Sequence, residues 1–350
     1  MRVLVTGHNG YIGCALAPIL VHAGHEVVGL DSCIFEHCTL GPDVDPVKTI
    51  RKDIRDVERD DLEGFHAVIH LAGISNDPLG DLNPECTYDI NHRASVHLAK
   101  VAKQAGVERF LFSSSCSNYG AAGAEAILTE EAAFNPVTPY GESKVLVERD
   151  VSQLADENFT PVFLRNATAY GYSARLRGDL VLNNLVGWAF ATGMVRLKSD
   201  GTPWRPIVHI EDISEAFRAL LEAPRNLVHN QAFNVGRTEE NYQMRDLAKI
   251  VMETVPGSTV TLAEGAGPDK RCYRVNCDKI CNTIPAFKPR WTAREGARQL
   301  YEAYKNFGLT LADFEGARYM RIQQVKKLQA EGRLDLNLRW VSVQIEASVQ

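Results

Sequence analysis

Short apolar segments alternate with longer amphipathic segments over the first half of the chain. The apolar segments are rich in Val, Ile, Leu and Phe and end at turn-forming or charged residues; they are Arg2–Thr6, His25–Leu30, Thr49–Arg51, Ala67–Leu71, Phe110–Ser113 and Val162–Arg165. The segments between them have a helical period, most clearly Asn91–Ala105 and Ser143–Ala155, and a helix is also expected over Ala15–Ala23. Strands that are apolar on both faces and alternate with helices predict an α/β fold, a Rossmann-type doubly wound parallel sheet.

The pattern changes after about Arg165. The elements that follow are shorter and contain more Pro, Gly and Arg; they include Gly178–Thr192, Trp204–Leu221 and Gln231–Val235. This change predicts a first domain over residues 1–165 and a smaller C-terminal substrate-binding lobe over 166–309, from which the chain could recross to the sheet.

Residues 310–350 are predicted to form a C-terminal helical extension. Between Thr310 and Gly332 the apolar side chains fall roughly on one side of a charged helix. A helix docked on the rest of the protein is the main interpretation, and a partner-binding helix is the alternative.

Composition narrows the class of protein. The 350 residues include 38 Lys and Arg against 44 Asp and Glu, a formal net charge of −6, so the chain carries no overall basic character for binding nucleic acid. It has no apolar run of about 18 residues and does not begin like a secretory signal, which predicts a cytoplasmic protein that spans no membrane. The eight cysteines form no CxxC pair, and the group Cys272, Cys277 and Cys281 lacks a fourth ligand, so we expect reduced thiols and no metal.

A glycine-rich turn follows the first predicted strand and opens the first helix. It reads Gly7-His8-Asn9-Gly10-Tyr11-Ile12-Gly13. Glycines at these positions allow a tight turn and a close approach to a pyrophosphate, which the helix N-terminus then stabilises. Asp31 ends the second strand, where a carboxylate accepts hydrogen bonds from ribose hydroxyls and repels a 2′-phosphate. The combination predicts NAD in preference to NADP.

A tyrosine and a lysine lie four residues apart in Tyr140-Gly141-Glu142-Ser143-Lys144. On a helix they share one face. A lysine ammonium and a bound nicotinamide cation would lower the pKa of the phenol, which could then exchange a proton with a sugar hydroxyl while a hydride moves. The serines at the end of the fifth predicted strand, up to Ser115, could bind the same substrate oxygen.

Together these motifs resemble the extended short-chain dehydrogenase/reductases of the nucleotide-sugar epimerase/dehydratase family. The resemblance is carried by TGHNGYIG (6–13), HLAG (70–73), SSSCSNYG (113–120), YGESK (140–144) and WRPIVHIEDIS (204–214), and it extends to about residue 290. It implies tightly bound NAD, a nucleotide diphosphate-sugar substrate, and a homodimer built on the two long helices. It also implies that Ser115, Tyr140 and Lys144 are catalytic, with Asn91 as a supporting residue.

The resemblance and the strand-end positions together give a set of expected contacts. The expected cofactor contacts are Gly7, Asn9, Gly10, Tyr11, Ile12, Gly13, Asp31, Asp53, Ile54, Leu71, Ala72, Gly73, Asn91, Ser113, Tyr140, Lys144 and Asn166. The expected substrate contacts are Ser115, Ser117, Thr168, Asn184, Arg205 and Arg271. The second diphosphate arginine of simple 4-epimerases lies a few residues before Arg271, where this chain has Gly265 and Ala266.

Residues 116 and 117 bear on the reaction. Sugar-nucleotide 4,6-dehydratases carry an adjacent Asp-Glu here, and this chain has Cys116 and Ser117, which resemble the small residue and hydroxyl of 4-epimerases. An NAD-dependent C4 epimerase is therefore expected. The alternatives are a dehydrogenase/reductase or an atypical dehydratase and, disfavoured by the complete catalytic set, a non-catalytic NAD-binding paralogue. Cys116 itself is either an acid–base group or, as we prefer, a small packing residue.

Overall fold

The computed structural model describes residues 1–43, 47–75, 77–123, 125–267 and 272–341. The strands in these ranges are β1 Arg2–Thr6, β2 Glu26–Asp31, β3 Lys48–Arg51, β4 Ala67–His70, β5 Arg109–Ser115, β6 Ile127–Leu128, β7 Thr160–Asn166, β8 Thr168–Tyr170, β9 Met194–Ser199, β10 Trp204–His209, β11 Gln231–Val235, β12 Asn241–Gln243, β13 Thr259–Gly267 and β14 Arg274–Val275. The helices are α1 Tyr11–His22, α2 Asp77–Gly80, α3 Pro84–Tyr88, α4 Ala94–Gln104, α5 Pro139–Ser152, α6 Val181–Thr192, α7 Ile210–Glu222, α8 Arg225–Val228, α9 Met244–Thr254, α10 Asp278–Thr283, α11 Ala293–Asn306, α12 Leu311–Glu315 and α13 Arg321–Ala330.

A parallel sheet of seven strands forms the centre of the described structure, in the order β11-β7-β5-β4-β1-β2-β3. Alternate residues of β1 face opposite layers, as the pleat requires. Val3 and Val5 pack in the layer that contains α1 and α7, whereas Leu4 packs in the layer that contains α4 and α5. Helices therefore cover both faces, and the predicted Rossmann-type doubly wound α/β fold is confirmed.

Two helices begin earlier than the hydrophobic pattern indicates. Helix α1 starts at Tyr11, directly after the glycine turn, instead of at Ala15. Helix α5 starts at Pro139 instead of Ser143, because the Thr138 side chain caps its N-terminus by accepting a hydrogen bond from the Gly141 N–H. Both starts matter for the site, since they bring helix N-termini to the carboxyl edge of the sheet.

The second half of the chain combines a lobe with a return to the sheet. Helices α6, α9 and α11 pack around one apolar cluster with β9, and β10 forms a small separate sheet with β8 and β12. Segment 204–221 is a strand followed by a helix, and β11 pairs in parallel with β7 of the main sheet. The chain thus recrosses to the sheet within the range 166–309.

The C-terminal extension consists of the two helices α12 and α13, separated by residues 316–320. Phe314 is buried against the lobe, and Val325 is buried in a different cluster next to the first domain. The single charged helix predicted between Thr310 and Gly332 is thus divided in two, and both parts pack against the rest of the described structure.

Two further observations concern the described residues only. None of their helices combines the length and apolar character that crossing a membrane requires. They contain no group of three or more His, Cys, Asp or Glu side chains suited to a metal ion, and all eight cysteines are free.

Candidate active site

A cavity of about 180 Å³ lies at the carboxyl ends of β1, β2 and β4. Ligands of doubly wound sheets bind at this edge. Most of the expected cofactor residues line it: Gly7, Asn9, Gly10, Tyr11, Ile12, Gly13, Asp31, Asp53, Ile54, Leu71, Ala72 and Gly73. The turn, the strand ends and the loop after β3 therefore converge on one binding site.

The glycine turn has no room for side chains. A Cβ on Gly7, whose φ is +73°, would lie 2.7 Å from the Ala72 backbone nitrogen, and one on Gly13 would lie 2.4 Å from the His8 Cα. Gly10 caps α1 without a side-chain hydrogen bond, and the first turn of α1 has no acidic residue. The backbone here fits the pyrophosphate of a dinucleotide, which can approach the turn closely and accept from the helix N-terminus.

Asp31 and Asp53 are held in fixed orientations at the cavity wall. The two carboxylate oxygens of Asp31 accept hydrogen bonds from the backbone N–H groups of Cys33, at 2.7 Å, and Asn9, at 3.0 Å. Asp53 pairs with Arg55 at 2.6 Å. Because Asp31 is fixed by backbone groups and faces the cavity, it can accept from ribose hydroxyls and would oppose a 2′-phosphate.

Tyr140, Ser115 and Lys144 come together next to this cavity. Tyr140 is half-buried in the first turn of α5, and its interaction with the Ser115 side chain lowers the pKa of the phenol. The Lys144 ammonium donates to the Ser113 carbonyl at 2.8 Å and lies 5.7 Å from the centre of the Tyr140 ring. The tyrosine, its serine partner and the lysine are thus arranged for proton transfer at one substrate oxygen.

The pKa values of this pair differ from the sequence-based expectation. Burial raises the pKa of Tyr140, and its hydrogen bond with Ser115 only partly offsets this. Burial also lowers the pKa of Lys144 to about 7, an effect that Glu148, one helical turn further along, opposes. The protein groups alone therefore do not produce the expected lowering of the tyrosine pKa, and that expectation depends on the positive charge of the bound nicotinamide.

A buried ionic network around Glu148 holds helix α5 against the sheet. Glu148 accepts hydrogen bonds from the Arg165 guanidinium, at 2.8 Å for Nη2, and from Asn118 Nδ2 at 3.0 Å. Ser114 also donates to Glu148. These contacts join α5 to the end of β7 and to the end of β5, the strand that carries Ser113, Ser114 and Ser115.

Five of the expected cofactor residues do not line the cavity: Asn91, Ser113, Tyr140, Lys144 and Asn166. Asn91 accepts from the Ile74 N–H at 2.7 Å and donates to the Ile74 carbonyl at 2.8 Å, which fixes a residue of the cavity wall. Asn166 Nδ2 donates to Ser113 Oγ at 3.1 Å, and its Oδ1 is buried without a partner in the structure. Asn91 and Asn166 are therefore placed to hold neighbouring residues of the site in position.

The expected substrate residues are spread over the sheet edge and the lobe. The Ser117 N–H donates to Ser115 Oγ at 3.0 Å, and Thr168 and Arg205 lie on the paired strands β8 and β10. Asn184 on α6 donates to the Gly178 carbonyl at 2.7 Å. Arg271 lies outside the described residues. A diphosphate clamp made by these residues remains a prediction.

Cys116 points into the protein. Its side chain is 1% exposed and packs with Tyr119, Tyr273, Val275 and Cys277, and its Sγ lies 3.1 Å from the Arg165 carbonyl. Burial raises the pKa of this thiol. This geometry argues against the acid–base alternative and supports the packing role.

Sequence reasoning missed one wall of the cavity. Besides Phe35 and Arg177, the lining includes Arg321, Val325 and Leu338 from the C-terminal extension. Nothing in the sequence linked the C-terminal extension to this cavity.

Comparisons with known proteins agree with this geometry. The sequence model of the NAD dependent epimerase/dehydratase family matches residues 3–236. A UDP-glucose 4-epimerase of Neisseria meningitidis serogroup C is 30% identical over 266 residues, covering 67% of this chain and 77% of that protein.

Solved structures of the same fold are also similar. MoeE5 in complex with UDP-glucuronic acid and NAD is 26% identical, with a TM-score of 0.76 over 87% of this chain and 99% of its own. The NAD-dependent NDP-hexosamine 5,6-dehydratase TunA is 24% identical, with a TM-score of 0.77 over 87% and 98% of the two chains, a likeness in fold alone. The protein belongs to the NAD-dependent epimerase/dehydratase family, and its cofactor is NAD.

Proposed function

We propose that this protein is a nucleotide-sugar epimerase that inverts C4 of the sugar. The observation that carries the proposal is the placement of Tyr140 beside the cavity, with the Lys144 ammonium 5.7 Å from its ring centre and the Ser115 side chain acting on its phenol. Directly after Ser115, Cys116 is buried away from the site and Ser117 carries no carboxyl group. The residues thus support reversible oxidation at C4 and lack the adjacent Asp-Glu of 4,6-dehydratases.

The reaction balances with one proton carrier. NAD bound in the cavity would supply reversible hydride transfer at C4, and inversion requires the hydride to return to the opposite face of the sugar. Tyr140 removes the proton of the C4 hydroxyl as the C4–H bond breaks, and gives that proton back when the 4-keto sugar is reduced. Ser115 donates to the same oxygen, and the Lys144 charge stabilises the phenolate.

The family and the relatives support a nucleotide diphosphate-sugar as the substrate. We assign Asn184, Arg205 and Arg271 to the nucleotide diphosphate, where the guanidinium forks of the two arginines match phosphate oxygens, and Thr168 to a contact with the substrate. The relative from Neisseria meningitidis that is 30% identical to this chain is a UDP-glucose 4-epimerase. UDP-glucose and UDP-galactose are therefore the first pair to test, followed by UDP-glucuronic acid.

The decisive experiment runs the purified protein on each sugar in D₂O without added cofactor, followed by NMR. A C4 epimerase forms the C4 epimer with no deuterium at C4, because the hydride stays on the enzyme. With a dehydratase, the sugar loses water and takes up deuterium from the solvent. With a dehydrogenase, bound NAD is converted to NADH in proportion to the product. Either of those outcomes would overturn the proposal.

A substitution tests the proton carrier. Tyr140→Phe keeps the ring and its packing and should lower kcat by about 10²- to 10⁴-fold, with the bound NAD unchanged. Tyr88→Phe is the matched control. The Tyr88 hydroxyl donates at 2.6 Å to Glu142, which lies on α5 as Tyr140 does, and it has no assigned role in catalysis. A Tyr140→Phe enzyme that keeps more than about a tenth of the rate would show that another group carries the proton.

A further inference from the structure

The C-terminal segment 311–341, here called the strap, crosses from the lobe to the first domain. Phe314 is buried in the lobe cluster, and at the other end Trp340 Nε1 donates to the Ser32 carbonyl at 2.6 Å. Arg55 Nη1 donates to the Asn337 carbonyl at 2.8 Å. The strap lies outside the family match at residues 3–236, yet three of its side chains line the NAD cavity.

Arg321 is the charged member of these three. It is 4% exposed, its Nη2 donates to the Arg175 carbonyl at 3.1 Å, and its guanidinium lies 4.2 Å from the centre of the Phe35 ring. Its Nη1 is buried and has no hydrogen-bond partner. Among the described residues no carboxylate forms an ion pair with it. Burying a cation in this way is unfavourable unless an anion compensates it.

The other charged side chains that line the cavity are already engaged. Arg177 pairs with Asp179 at 2.8 Å, Asp53 pairs with Arg55, and Asp31 accepts from two backbone amides. Arg321 therefore supplies the positive charge of this cavity that still lacks an ionic partner among the described residues.

The N-terminus of α1 lines the same cavity as Arg321. Helix α1 has 12 residues, its N-cap makes no side-chain hydrogen bond, and Gly10–Gly13 line the cavity. A helix N-terminus attracts an anion. Arg321 lines the same cavity and has a buried Nη1 without a hydrogen-bond partner, which is a second and independent indication of an anion at this wall.

We propose that Arg321 binds a phosphate oxygen of the NAD pyrophosphate, so that the strap both covers the cofactor and contributes a ligand to it. The planar guanidinium suits this role because it can donate to phosphate oxygens while stacked on Phe35. Val325 and Leu338 complete the cover with apolar contacts. The inference rests on the NAD cofactor and is independent of which sugar reaction the enzyme catalyses.

Ligand binding to the full-length protein tests this proposal. NAD is removed, and titration calorimetry then measures the affinity for ADP, which has the diphosphate, and for adenosine, which has none. Arg321→Gln should raise the Kd of ADP by about 10- to 100-fold, the effect of losing one hydrogen bond to a charged group, and leave that of adenosine within about twofold. Because no sugar is present, the result does not depend on the proposed epimerisation.

Lys327→Gln is the matched control. It removes the same charge from the same helix at a side chain that is 59% exposed, and both affinities should stay unchanged. Arg321→Lys keeps the charge but loses the planar fork. Its affinity for ADP should lie between those of the wild type and Arg321→Gln.

Two results would overturn the proposal. Equal ADP affinities in the wild type and both Arg321 variants would show that the guanidinium has a structural role only. A parallel loss of ADP and adenosine binding would show that the strap acts purely as a cover. If Arg321→Gln does not fold, the ratio of the ADP and adenosine affinities in Arg321→Lys decides between the same outcomes.

Discussion

Removing the charge of Lys144 should raise the pKa of Tyr140 and move the pH dependence of catalysis with it. Lys144 Nζ lies 5.7 Å from the centre of the tyrosine ring. At an effective dielectric constant of about 20, a unit charge at that separation changes the ionisation free energy by about 3 kcal/mol, equivalent to about 2 pKa units. The lysine cation stabilises the phenolate, so Lys144→Met raises the tyrosine pKa.

Because Tyr140 must be deprotonated to accept the sugar proton, the acid limb of the pH profile of kcat/KM should move upward in Lys144→Met by up to that amount. The change in phenolate absorbance near 295 nm measures the same pKa without substrate, and Tyr140→Phe identifies the signal. Lys100→Met removes an exposed lysine of α4 and should leave the limb in place. The electrostatic reasoning fails if Lys144→Met retains NAD and its acid limb stays within about half a unit of wild type.

Three other expectations concern the cofactor, the assembly and acid stability. Denatured wild type should release NAD, and Asp31→Ser should reduce the preference for NAD over NADP by about 10- to 100-fold, whereas NADP in the wild type would contradict the role of Asp31. Light scattering after size exclusion should show a homodimer formed through α4 and α5, and a monomer at micromolar concentration would exclude it. Burial lowers the pKa of His70 to about 3, so this histidine is neutral when folded and takes up a proton on unfolding below about pH 6.5. The free energy of unfolding is therefore highest above that pH and falls as the pH is lowered, by about 2 kcal/mol at pH 5. In urea titrations His70→Gln should lose less stability over the same pH range.

The sheet and the glycine turn were predictable because their signals are local. The strand β1, the turn at Gly7–Gly13 and the acidic end of β2 follow one another within about 30 residues, and the parallel topology brings their ends to one edge. The tyrosine–lysine pair was predictable for the same reason, since four residues on one helix share a face.

Other features depend on tertiary structure and could not be read from the sequence. The direction of the Cys116 side chain is set by the turn after β5, and the packing partners Tyr273 and Cys277 come from a distant part of the chain. Arg321 lies more than 300 residues from the glycine turn, and only the docking of α13 brings it to the cavity. The pKa of Tyr140 depends on burial, which the helical spacing of Tyr140 and Lys144 does not encode.

The position of the strap in the chain also sets an order of events during translation. β11, the last strand of the main sheet to be synthesised, ends at Val235, and the strap begins at Leu311. The ribosome needs roughly 4 to 15 s to add the intervening residues. Until it has done so, the wall formed by Arg321, Val325 and Leu338 does not exist, and the glycine turn is open to solvent. The nascent chain therefore offers the dinucleotide a wider entrance than the finished protein, and the final residues of the strap close it.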